Sequence, residues 1–350
     1  MKAFTSRLGI EYPIIQGPFG GGLSSVRLAA AVSHAGGLGS FGAHHLSPKQ
    51  MREVIRDLQT ATPKPFNINL WVSRHDPGAE VMTITHHEQG LRQFAQVYER
   101  FGIAAPPIEP PESFSFEQQA EVILDLRPAV FSFVFGIPPT DILRDCARRG
   151  ILTVGAATTV EEAAALDEAD VDVIVATGSD AGGHRPSFLR PAEDSLTGTF
   201  SLLPQVRRVT RRPVIAAGGI AEPSGMRAAF QLGADAVQIG TAFLACEESN
   251  CPPPHRRALF TPAAARTRLS RRFTGRLARF MSSPLLEELE NSAYPALPFP
   301  LQAAFNRPVK TEGVRRDDAE LLPLYAGQAA PLIQHRRVED LMRQLIAGLS

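Results

Sequence analysis

The sequence is poor in the features that mark extracellular, membrane or polyanion-binding proteins. Only three cysteines occur in 350 residues, Cys146, Cys246 and Cys251, too few and too odd in number for a disulfide framework, so reduced thiols are the default. Neither sign of charge is in excess. The 36 Lys+Arg balance 36 Asp+Glu, which removes the electrostatic footprint of a nucleic-acid binder, and no long single-sign block occurs. Apolar runs are strand-sized and interrupted, well short of the roughly 20 residues that a membrane-spanning helix needs. Residues 1–7 run into Gly9 and Glu11 without an apolar stretch, so no secretory signal is visible and a cytoplasmic protein is expected. P-loop, zinc-protease helix and nucleophile-elbow serine are all missing. Cys246, Cys251 and His255 lack a fourth ligand and enclose Pro252-Pro253-Pro254, which favours an ordinary loop over a metal site.

What is abundant is glycine and proline, 28 and 29 residues, above the roughly 12% expected for the two together. They fall between apolar runs, and those runs are regular. Short stretches rich in Val, Ile and Phe predict eight strands near 12–17, 38–43, 65–72, 129–136, 152–158, 171–177, 213–217 and 236–240. Amphipathic helical patterns lie between them at about 24–35, 48–60, 117–127, 139–149, 160–168, 201–210 and 223–232. Such βα alternation implies parallel strands with right-handed crossovers, and eight units predict a (β/α)8 TIM barrel over 1–244. Two segments break the repeat. An insertion at 73–116, after the third strand, holds His75, His86, His87, a helix over 86–101 and the proline-rich run 105–111. A tail at 245–350 ends in an amphipathic helix near 336–348, and is expected to form a helical cap packing on the barrel mouth.

In this architecture the active site lies at the C-terminal ends of the strands, and phosphate is usually held by the loops after the seventh and eighth. Those loops carry Gly218-Gly219 and Gly240-Thr241. Adjacent glycines let backbone N–H groups approach an anion, Thr241 adds a hydroxyl, and the helix after Pro223 adds its positive end. A tight turn alone is the competing explanation. The sixth strand ends in Ala176-Thr177-Gly178-Ser179-Asp180-Ala181-Gly182-Gly183-His184, placing an imidazole at the mouth beside bare backbone. Histidine is the side chain best suited to proton exchange near neutral pH, although loop histidines are often structural. The first strand ends Gln16-Gly17-Pro18-Phe19-Gly20, a turn that presents amides to a flat ligand or is simply a loop. On the third strand Asn67, Asn69 and Trp71 share a face; Asn69 is either a ligand contact or bonded to neighbouring backbone. Gly37-Leu38-Gly39-Ser40-Phe41-Gly42 spells G-x-G-x-x-G, but it follows a helix and enters a strand, the reverse of the dinucleotide-binding context.

Taken together, Gln16-Gly17-Pro18, Ala35-Gly36-Gly37-Leu38-Gly39, Pro65-Phe66-x-x-Asn69-Leu70, Gly178-x-Asp180-Ala181-Gly182-Gly183-His184, Ala216-Ala217-Gly218-Gly219-Ile220 and Gly240-Thr241-x-Phe243 resemble the nitronate monooxygenase family, once called 2-nitropropane dioxygenases. The likeness runs from about residue 10 to 245 and resumes at Phe273-Thr274-Gly275-Arg276 and Tyr325-Ala326-Gly327-Gln328. It implies a barrel holding non-covalent FMN. The phosphate would sit on Gly218, Gly219, Gly240, Thr241 and the Gly182-Gly183 turn, and the ring near Gly17, Pro18, Phe19 and Asn69. Thr177 and Gln328 would complete the cofactor's surroundings, with His184 as the active-site residue. In the implied chemistry an alkyl nitronate passes one electron to the flavin and O2 traps the radical, giving a carbonyl compound and nitrite. Phe19, Thr177 and Pro186 stand where relatives often have Met, Gln and Gly or Val, changes expected to shift substrate choice before flavin binding. Two other readings remain. One is an NAD(P)H-dependent FMN reductase of enoyl thioesters or quinones on the same barrel, the other an inactive barrel serving as a binding protein. Inosine-phosphate dehydrogenase-type barrels need a cysteine after the sixth strand, and 178–200 has none. Oligomeric state is not indicated.

Overall fold

The computed structural model describes residues 2–108 and 114–349, so 109–111 of the proline-rich run lie outside it. A short helix, α1 (Lys2–Leu8), precedes the alternating elements β1 (Ile14–Gln16), α2 (Val26–His34), β2 (Gly39–Gly42), α3 (Pro48–Ala61) and β3 (Phe66–Trp71). The insertion supplies α4 (Ile84–Phe101) ahead of α5 (Phe116–Leu126). Then follow β4 (Val130–Val134), α6 (Thr140–Arg149), β5 (Leu152–Ala157), α7 (Val160–Glu168) and β6 (Val173–Thr177). After a two-residue strand, β7 (Gly183–His184), come α8 (Thr199–Val209), β8 (Val214–Ala217), α9 (Pro223–Gln231), β9 (Ala236–Ile239) and α10 (Thr241–Leu244). The tail holds α11 (Pro253–Ala258), β10 (Thr267–Ser270), β11 (Ala278–Met281), α12 (Pro284–Glu290), α13 (Leu301–Arg316) and α14 (Val338–Ala347).

Eight strands form one parallel sheet in the order β1-β9-β8-β6-β5-β4-β3-β2. A bridge between Ile15 and Leu38 joins its two edges, so the fold is the (β/α)8 barrel anticipated from the repeat. Side chains alternate in register with the strands. Val173, Val175, Ile215 and Ala217 belong to the cluster inside the barrel. Their neighbours Ile174, Ala176, Val214 and Ala216 belong to the layer beneath the helices. Phe4 and Leu8 of α1 join the inner cluster, so this unanticipated helix stoppers the barrel. Local signals set the helix starts: α3 opens on a capping box of Ser47 and Gln50 with Pro48 in its first turn. The G-x-G-x-x-G run is packing, since a Cβ on Gly39 would stand 1.9 Å from the Ala29 carbonyl oxygen of α2.

Insertion and tail share a second core, in which Phe94, Val97 and Tyr98 of α4 meet Phe305 and Val309 of α13. The tail is not only helical. Strands β10 and β11 form a hairpin, and β11 pairs antiparallel with β7, the strand that contains His184. Their four-residue runs, each carrying an arginine, leave no strand signature in the sequence. The last helix also differs from the expectation of a tail lying wholly over the mouth. Helix α14 packs against α2 and α9, burying Val338, Leu341, Met342 and Leu345 in the outer layer that four-residue α10 is too short to fill. No helix among the described residues is long and apolar enough to cross a membrane.

Candidate active site

The strand ends converge as their register requires. At the β1 end, Gly17 N donates to Ile239 O at 2.8 Å, and a Cβ on Gly17 would lie 3.3 Å from Gly240 Cα. The first-strand turn is organised by Ser24, which sequence reasoning missed. Its hydroxyl donates to Phe19 O (2.9 Å) and accepts from Phe19 N and Gly42 N, both at 3.1 Å. Phe19 thereby faces Gly240, where a Cβ would meet the ring edge at 4.0 Å and nothing closer.

Beside this turn, on the same rim, the loops after β6, β8 and β9 lock together with the tail. Gly218 and Gly219 take φ of +105° and +68°, conformations open to glycine at little cost. A Cβ on Gly218 would lie 2.7 Å from Thr199 Oγ1, an atom that donates to Ala217 O at 3.0 Å. Asp180 Oδ2 accepts from Thr199 N at 2.6 Å, which caps α8. The tail then crosses this rim: Gly327 N donates to Thr241 Oγ1 (3.0 Å) and Gln328 N to Asp180 O (2.9 Å). Gly182 is bare because the tail presses on it; a Cβ there would be 2.5 Å from Gly327 N. Gly182, Gly218, Gly219, Thr241 and the Gln328 backbone are therefore neighbours, whereas the Gln328 side chain is exposed.

His184 is held from the tail. Pairing of β7 with β11 sets Ala278 opposite His184, and His184 Nε2 lies 2.9 Å from Thr274 Oγ1. The residue is half-buried inside an aromatic wall, with ring centroids of Trp71 at 5.0 Å and Tyr325 at 5.9 Å. Burial, then the positive charge of Arg276, pushes its pKa down from 6.5 to about 3, so the imidazole is neutral at physiological pH. Arg276 is 4% exposed and paired with Asp76 of the insertion at 2.8 Å. Its guanidinium lies 4.2 Å from the Phe135 ring centroid. His44 stacks on Trp71 at 3.8 Å, and burial likewise drives its pKa well below 6.5.

Asn67 and Asn69 face the barrel interior, and each donates to Ser132 Oγ at 2.9 Å. Asn67 Oδ1 is buried with no partner. Asn69 thus has a side-chain partner on β4 and stands one pleat nearer the mouth. Thr177 contributes its carbonyl, which accepts from Arg185 at 2.9 Å. Arg185 is 1% exposed, and burial lowers its pKa to about 10. The adjoining loop is fastened by Glu162, fully buried, whose carboxylate accepts from Thr158 N and Oγ1 (both 2.7 Å), Phe188 N (2.5 Å) and Leu189 N (3.1 Å). No sequence signal marked this residue, because a glutamate in a first helical turn reads as a solvated partner of the helix dipole.

Comparison with known proteins agrees with this construction. The family model described as nitronate monooxygenase matches residues 2–348. A nitronate monooxygenase from Paraburkholderia phytofirmans is 39% identical, with 98% of this chain and 94% of the relative aligned. One from Pseudomonas aeruginosa is 38% identical over 99% and 98%. The crystal structure of nitroalkane oxidase from Streptomyces ansochromogenes superimposes with a TM-score of 0.89 at 36% identity, covering 99% of this chain and 97% of that one.

Proposed function

The chain belongs to the nitronate monooxygenase family and is an oxidoreductase; from that premise we propose that it binds FMN and oxidises alkyl nitronates with O2 to a carbonyl compound and nitrite. The observation that carries this reading is the pairing, at one barrel mouth, of a bare glycine rim with the His184 imidazole walled by aromatics. The rim fits a flavin phosphate: Gly218 and Gly219 turn through positive φ beside the α8 and α9 starts, and a Cβ on Gly240 would meet only the Phe19 ring edge, at 4.0 Å. Backbone N–H groups at such turns suit an anion without needing a basic side chain. Thr241 would add its hydroxyl, with Gly182, Gly183, Gln328 and Thr177 completing that side. Gly17, Pro18, Phe19 and Asn69 would flank the ring. In this proposal residues 1–244 form the flavin-binding barrel and 245–350 the extension that closes its mouth.

When bound, the flavin supplies the electron acceptor; everything else is asked of the chain. Neutral His184 is a base for the α-proton of a nitroalkane. A nitronate anion in the same place favours the protonated ring, which then donates to a nitro oxygen. Arg276, with Asp76 and Ser73 occupying its nitrogens, supplies a fixed positive field that favours an anion. The aromatic wall excludes water from the reacting atoms. Substituting His184→Ala should leave FMN bound while nitroalkane turnover falls by about 100-fold or more. Unchanged turnover would remove His184 from the reaction.

A further inference from the structure

We propose that Thr274 is a positioning residue that holds His184 as its Nε2–H tautomer and so presents Nδ1 to the mouth as a lone pair. The argument is one of hydrogen count. Thr274 Oγ1 has a single hydrogen and two close partners, His184 Nε2 at 2.9 Å and the Arg276 carbonyl oxygen at 3.2 Å. A carbonyl oxygen only accepts, so the hydroxyl hydrogen belongs to Arg276 O, and the hydroxyl oxygen is left to accept from the ring. The ring nitrogen facing Thr274 therefore carries the proton. Thr274 and its ring partner are both fixed through their backbones. The Arg271 carbonyl accepts from Thr274 N and Gly275 N at 3.3 and 2.7 Å, while strand pairing fixes the His184 backbone. Nδ1 has no hydrogen-bond partner among the described residues.

This rests on the proposed role of His184 in handling the substrate proton, and it divides that role between substrates. With a neutral nitroalkane, Nδ1 takes the α-proton, the C–H electron pair becomes the C=N bond, and negative charge moves to the nitro oxygens. That step needs the lone pair which Thr274 secures. A preformed nitronate has already lost its α-proton, so its oxidation does not draw on the Nδ1 lone pair.

The test uses FMN-loaded protein labelled with [15N]histidine, His184→Gln serving to assign the ring signals, together with Thr274→Val and Thr274→Ser. The wild-type ring should show a protonated Nε2 and an unprotonated Nδ1. Thr274→Val should mix in the Nδ1–H form and lower kcat/KM for nitroethane about tenfold, the worth of one hydrogen bond. Ethyl nitronate should stay within about threefold, and Thr274→Ser should restore both readouts. A wild-type ring protonated on Nδ1, or a Thr274→Val protein with unchanged ring signals and an unchanged ratio of the two substrates, overturns the inference. If neither substrate is turned over but the ring signals behave as described, the positioning role stands and the proposed function fails.

Discussion

Replacing Gly182 by alanine tests whether the tail is a working part of the mouth. The new Cβ would stand 2.5 Å from Gly327 N and 2.6 Å from the Ala326 carbonyl carbon, both backbone atoms that cannot swing aside. Ordinary carbon contacts lie near 3.5–4.0 Å, so the strap must retreat by roughly 1 Å. Overpacking of this kind costs about 1–3 kcal/mol. The retreat also loosens Gly327 N to Thr241 Oγ1 and Gln328 N to Asp180 O, each worth about 0.5–1.5 kcal/mol. The combined loss is about 2–6 kcal/mol; with an unfolding entropy of roughly 2.1 cal/mol/K per residue over 350 residues, Tm falls by about 3–8 °C. Gly183→Ala is the control. Its Cβ meets nothing within 4 Å, leaving only the strain of a φ of +77°, about 1 kcal/mol or roughly 1–2 °C. Differential scanning calorimetry of the FMN-loaded variants, with the flavin released at each temperature read by fluorescence, separates the two. Equal Tm values for the two variants would refute the steric argument.

Glu162→Gln should destabilise strongly, because the amide group turns an acceptor of two donors into a donor facing them, at a cost of about 1.5–3 kcal/mol for each charge-assisted bond lost; a urea midpoint within error of wild type would contradict this. Acid should weaken the fold. Burial holds the pKa of His45 and His255 near 4 and that of His184 near 3, all below 6.5, so the unfolded chain takes up protons that the native state refuses. Their contribution is complete above pH 6.5 and is lost as pH falls toward 4. For His255, 1% exposed, the slope is at most about 1.4 kcal/mol per pH unit. Urea midpoints that do not fall between pH 7 and 4.5 would contradict the sign.

The barrel was readable from periodicity alone because each strand is buried on both faces and each crossover helix is amphipathic, so Val173 to Ala176 or Val214 to Ala217 appear as unbroken apolar runs. Helices α3, α7 and α9 fall where caps and prolines put them. The cap was harder to read. Residues 267–270 and 278–281 are strands only because they pair with each other and with Gly183-His184, a tertiary choice that no four-residue run announces. Site residues followed the same division. That Gly218, Gly219, Gly240 and His184 lie at the barrel mouth could be read from their position in the βα unit. Gly182 stands in the sequence as bare backbone at the mouth, and in the fold its missing side chain also makes room for Gly327. Ser132, Thr274 and Asp76 act through partners far away in sequence, Ser24 joins the first-strand turn to β2, and Glu162 becomes buried only once the loop at 185–189 folds over it. The G-x-G-x-x-G run was read by context, and the contact between Gly39 and Ala29 gives its physical reason.

Most direct is the fate of oxygen. FMN-loaded protein in aerated buffer, given propionate 3-nitronate without any nicotinamide, should consume O2 and release nitrite in step with loss of the nitronate. Absence of oxygen uptake, alongside rapid NADH oxidation with a quinone or an enoyl thioester, would contradict nitronate oxidation and assign the barrel to flavin reduction instead.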